Sequence, residues 1–107
     1  MCAHIDAACF MVNVFRASNA SEMPLKRLAI IQEKVSAVIE KQDAVIDWTR
    51  LSFEAALYYY GSIFAETDDG TIRVTKDRLD RDFDFITDEV PASVLQALQE
   101  EIGRALT

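Results

Sequence analysis

Residues 24–65 read PLKRLAIIQEKVSAVIEKQDAVIDWTRLSFEAALYYYGSIFA. No Pro follows Pro24 in this stretch, and no Gly comes before Gly61. Leu28, Ile31, Val35, Val38, Val45, Phe53, Leu57, Tyr60 and Phe64 recur mostly at three-, four- and seven-residue steps. That spacing places them on one side of an α-helix. An unbroken helix of this length would run ~60 Å, against a radius of gyration of about 13 Å for a domain of this size. Polar Gln42 and Thr49 interrupt the apolar stripe. Asp43 can instead cap a second helix starting at Ala44. Glu40, Lys41 and Gln42 contain no strong breaker, so continuity is the expectation.

A helix longer than its domain leaves apolar surface that one short chain cannot cover. A homodimer is therefore expected, and the rival is a monomeric bundle broken at Gln42-Asp43. Tyr58, Tyr59 and Tyr60 follow one another at about 100° around the helix. They cannot all face one core, and tyrosine is enriched at interfaces. Trp48, Tyr58 and Tyr59 are the interface candidates.

Outward from this stretch, Ile5 to Arg16 is apolar nearly all round, which suits a helix buried on several sides; a short strand is the other reading. Ala17 to Met23 reads as a linker, and Pro24 suits a first helical turn. Thr67-Asp68-Asp69-Gly70 is a turn signal. Thr71 to Thr75 alternates as a strand does, and can pair back on Ser62 to Glu66 or extend across the bundle. Asp77 to Ile86 puts Leu79, Phe83 and Ile86 on one helical face. Pro91 opens a last helix with Val94, Leu95, Leu98, Ile102 and Leu106 as its stripe and a Glu100–Arg104 pair at i, i+4.

The expected fold is mainly α: one domain over 1–107, with an N-terminal apolar segment at 1–20, a long helix or helix pair at 24–65 and C-terminal helices at 76–107. At most a small β-element lies near 71–75. The expected core comprises Leu28, Ile31, Val35, Val38, Val45, Phe53, Leu57, Phe83, Leu95, Leu98 and Ile102.

The 107 residues are 50% hydrophobic and 27% charged, with three Gly and two Pro. That is globular composition, and scarce turn residues favour helices. The net charge of −7 opposes direct nucleic-acid binding. No apolar run is long enough for a membrane span. Ala7 to Phe15 resembles a signal-peptide core and Ser18-Asn19-Ala20 a cleavage site, but no Lys or Arg precedes them. A cytoplasmic location is expected, and there Asn19-Ala20-Ser21 is a chance match to a glycosylation site. Cys2 and Cys9 are read as reduced thiols: on one helix they would lie ~10 Å apart, too far for a disulfide.

Chemistry is hard to find. His4 is the one histidine, and Cys2, His4 and Cys9 fit no standard zinc spacing. Asp80-x-Asp82-x-Asp84 opens like a calcium loop, but Phe85 and Pro91 stand where Gly and a carboxylate are needed. No phosphate loop, nucleophile elbow or Gly-rich dinucleotide turn occurs. We therefore expect no enzymatic activity, no cofactor and no metal. Between Glu66 and Glu89 nine acids meet four bases, a local net of −5. Asp80, Asp82 and Asp84 are candidate contacts to a basic protein partner.

The expected function is a small acidic, non-catalytic protein-binding regulator: an inhibitor, an antitoxin- or immunity-like protein, or an adaptor. The alternatives are a structural subunit of a larger assembly, or a small helical-bundle enzyme or ligand carrier using core carboxylates and tyrosines. Two inward carboxylates such as Asp47 and Glu54 would support the last of these.

Overall fold

The computed structural model describes residues 3–40, 44–46, 50–75 and 90–107. Their elements run β1 (Ala3–Ile5), α1 (Ala7–Ser18), β2 (Glu22–Pro24), α2 (Leu25–Ile39), β3 (Ala44–Ile46), α3 (Arg50–Tyr59), β4 (Phe64–Glu66), β5 (Thr71–Val74) and α4 (Ala92–Leu106). Helix dominates, with a small β-component.

The centre of the molecule is α1. Asp6 caps it by accepting the Cys9 backbone N–H at 2.9 Å, which satisfies one of the four amides a helix start leaves without partners. Asn19 ends it in the left-handed conformation, φ 53°, a position asparagine tolerates. Every residue from Ala7 to Phe15 is buried. The helix packs against α3 and α4, and α4 also packs on α2. Phe10 meets Phe53 of α3 with ring centroids 6.0 Å apart, and Phe15 meets Phe64 of β4 at 6.4 Å. The all-round apolar character of this segment thus reflects enclosure by neighbours.

The long helix expected over 24–65 is not formed. Helix α2 ends at Ile39, and Ala44–Ile46 is a strand paired in parallel with β1, Val45 opposite His4. His4 therefore lies in a paired strand. The apolar pattern is equally compatible with one helix or two. The strand instead depends on a partner about forty residues away in sequence, and β-pairing is set by such context more than by propensity. A fifteen-residue α2 spans about 22 Å, well inside the molecule's 37 Å longest extent. The overhanging helix that called for a homodimer is absent.

The small β-component extends beyond the element expected near 71–75. Besides the β1–β3 pair there is a three-stranded antiparallel sheet in the order β2-β5-β4. The Ala17 to Met23 linker reading misses β2, whose Met23 is buried opposite Ile72. Pro24 closes this edge strand, a position that does not need its missing N–H. The β4–β5 hairpin forms where the turn signal lies. Thr67 N–H donates to the Thr71 carbonyl at 2.8 Å, and Gly70 N–H to that of Thr67 at 3.1 Å. Gly70 has φ +80°, which glycine alone adopts freely.

One hydrogen bond ties the hairpin to the helices. Leu25 N–H, at the start of α2, donates to the Gly70 carbonyl at 2.9 Å. No side chain caps α2, so the turn supplies a partner that its first amide needs.

The core contains the expected Leu28, Ile31, Val35, Phe53, Leu98 and Ile102, all buried, with Leu57 and Leu95 half-buried against them. Val38 is only half-buried; Ile39 takes the enclosed place. Phe83 and the helix expected over Asp77–Ile86 lie outside the described residues. Pro91 does precede the last helix. Arg104 pairs with Glu101 at i, i+3 rather than with Glu100.

Candidate partner-binding surface

Helix α3 buries Phe53 and Ala56 and half-buries Leu57, with Tyr60 half-buried just beyond its end. Helical geometry then turns the intervening positions outward. Tyr58 is 83% exposed and Tyr59 76%. Their rings meet edge to face, 5.3 Å between centroids, a preferred geometry for an aromatic pair. Leaving both rings open keeps two large, mostly apolar side-chain bodies in contact with water. Ile30 on α2 is the other large exposed apolar residue described.

Beside Tyr59 lies a shallow groove of about 220 Å³ between α1 and α3. Its floor is Ala7, Ala8, Ala55 and Ala56; Asp6, Tyr59 and Tyr60 edge it. Small side chains on both helices leave the hollow, and the tyrosines wall it. Apolar periodicity does not announce this groove; the paired alanines at 7–8 and 55–56 are its one trace in the sequence.

A larger cleft of about 570 Å³ opens between the start of α2, Phe53 of α3 and the β4–β5 turn. Glu33, Glu66 and Asp69 line it together with Lys26, above an apolar floor that includes Leu25 and Phe53. Asp69 is fixed in the turn. Its carboxylate accepts from the Thr67 hydroxyl and from Thr71 N–H at 3.2 Å. Those bonds, from Thr67 first and then Thr71, hold its carboxyl below the ordinary carboxylate range. It is charged at neutral pH.

Of the expected contacts, Tyr58 and Tyr59 are brought together on one exposed face. Trp48, Asp80, Asp82 and Asp84 lie outside the described residues, as do Asp47 and Cys2. Glu54 is exposed on α3. Among the described residues no group of three His, Cys, Asp or Glu side chains is placed to hold a metal ion, and no helix is long and apolar enough to cross a membrane. Cys9 is buried and unbridged. Burial first, then the Asp6 carboxylate, pushes its thiol up to about 12. A thiol that stays protonated is a poor nucleophile. Asn13 is fully buried; its Nδ2 donates to the Cys9 carbonyl at 2.8 Å, while Oδ1 has no partner. It lines neither of the hollows described above.

No family model, curated protein or solved structure matches this chain.

Proposed function

We propose that this chain is a non-catalytic protein-binding regulator whose contact face is Tyr58–Tyr59 and the adjoining alanine-floored groove. The observation that carries this reading is the exposure of both rings on a helix whose other face, Phe53 and Ala56, is buried. Tyrosines combine a large apolar body with a polar tip, which makes them common anchors of interfaces. The partner is a basic protein. Two copies of this chain, each with a net charge of −7, repel one another at long range.

Two helices followed by a β-hairpin also invite comparison with DNA readers that lay a second helix in the major groove. Charge argues against it here. From Arg50 to Val74, α3 and the hairpin hold two bases, Arg50 and Arg73, against four acids, Glu54, Glu66, Asp68 and Asp69. That net negative balance disfavours phosphate contacts. The connection differs as well: ten residues, 40–49, separate α2 from α3, against about three or four in a helix-turn-helix.

The test is affinity capture from the native host with tagged wild-type chain and tagged Y58S/Y59S, followed by mass spectrometry. A basic protein retained by the wild type and depleted about tenfold or more by the variant supports the reading. Equal capture by both, or recovery only of further copies of this chain, overturns it.

A further inference from the structure

We propose that the acid-lined cleft between α2 and the β4–β5 turn seats a lysine side chain of the protein partner. This rests on the protein-binding reading above and names a second contact for it. The cleft, about 570 Å³, falls within the range of sites that enclose small ligand groups. Its two walls are joined by the Leu25–Gly70 hydrogen bond, so the hollow exists before a partner arrives, which lowers the ordering cost of binding. Three carboxylates, Glu33, Glu66 and Asp69, face one ammonium, Lys26, around it. Glu33, Glu66 and Lys26 belong to neither the Arg73–Glu22 nor the Arg104–Glu101 ion pair. The apolar floor of Leu25 and Phe53 suits the four-carbon stem of a lysine, whose charged head then reaches the carboxylates. Charge complementarity thus selects a cation, and the apolar floor selects one carried on an aliphatic stem.

The geometry makes predictions of opposite sign. Glu33 and Glu66 attract the incoming ammonium, whereas Lys26 repels it. The probe is a short peptide, acetyl-Ala-Lys-Leu-amide, titrated into the ¹⁵N-labelled full chain, with norleucine in place of lysine as the uncharged control. The lysine peptide is expected to shift the amides of Leu25, Lys26, Ala29, Glu66 and Gly70, saturating at roughly millimolar concentration. E33Q/E66Q should weaken it about fivefold, as two partly exposed charge contacts imply. K26Q should tighten it about two- to fivefold. Y58S/Y59S should leave it unchanged, so failure of the tyrosine face and failure of the cleft are read separately. Equal shifts from the norleucine peptide, no saturation, or a K26Q effect of the wrong sign would overturn the proposal. Unchanged amide spectra of the variants without peptide establish that each remains folded.

Discussion

Cys9 and Asn13 meet inside α1, and both are chemically constrained by enclosure. The Cys9 thiol ionises near 9.0 ordinarily and at about 12 in the fold. The folded state keeps a proton that the unfolded chain releases. That stabilisation is complete below pH ~9 and is lost progressively as the pH rises towards 12. Urea unfolding of the parent and of Cys9→Ala between about pH 8 and 11 should show the steeper decline in the parent; identical slopes would contradict it. Asn13 poses a different problem. An amide oxygen buried without a partner costs about 1–3 kcal/mol, and leucine shares asparagine's branching without its polar atoms. Asn13→Leu removes the orphaned oxygen together with the Nδ2 bond to Cys9 and should raise the unfolding free energy by about 1 kcal/mol; a loss in the same assay would contradict a net cost of Asn13 in the core. The enclosure of this segment was legible in its unbroken apolar run. The orphaned oxygen was not, because it depends on which neighbours surround Asn13.

The hairpin turn and the last helix allow a paired test on glycine. Gly70 sits at φ +80° with open space about it, so Gly70→Ala should cost about 1 kcal/mol through backbone strain alone. Gly103 lies within α4, and an added Cβ there would meet nothing within 4 Å. Gly103→Ala should stabilise the protein by roughly 0.5–1 kcal/mol. Thermal unfolding of the two variants distinguishes these signs. Segments announced by local chemistry were readable in advance: the Thr67–Gly70 turn, the strand after it and the helix after Pro91. Those that depend on distant partners were not. Ala44-Val45-Ile46 continues a helical pattern and becomes a strand only because Ala3–Ile5 lies alongside. Glu22-Met23-Pro24 looks like a linker until Ile72 pairs with Met23. The acid-lined cleft was hidden for the same reason, since Glu33 and Asp69 come from separate segments that only the fold brings near.

The end of α2 at Ile39 removes the overhang on which the expected homodimer rested. Without an overhanging helix, the large apolar side chains exposed among the described residues are Ile30, Tyr58 and Tyr59. The chain's negative charge also opposes self-association. Light scattering at micromolar concentration should give a mass of 12.1 kDa; a mass near twice that would restore the homodimer. The tyrosine pair was legible as an outward-facing feature because three consecutive aromatics cannot share one helical face. The decisive experiment is calorimetric titration of the captured partner into wild-type chain and into Y58S/Y59S, with circular dichroism confirming that the variant is folded. The dissociation constant should rise about thirtyfold or more, the loss of about 2 kcal/mol expected when an interface anchor is removed. An unchanged constant would contradict a tyrosine-anchored interface.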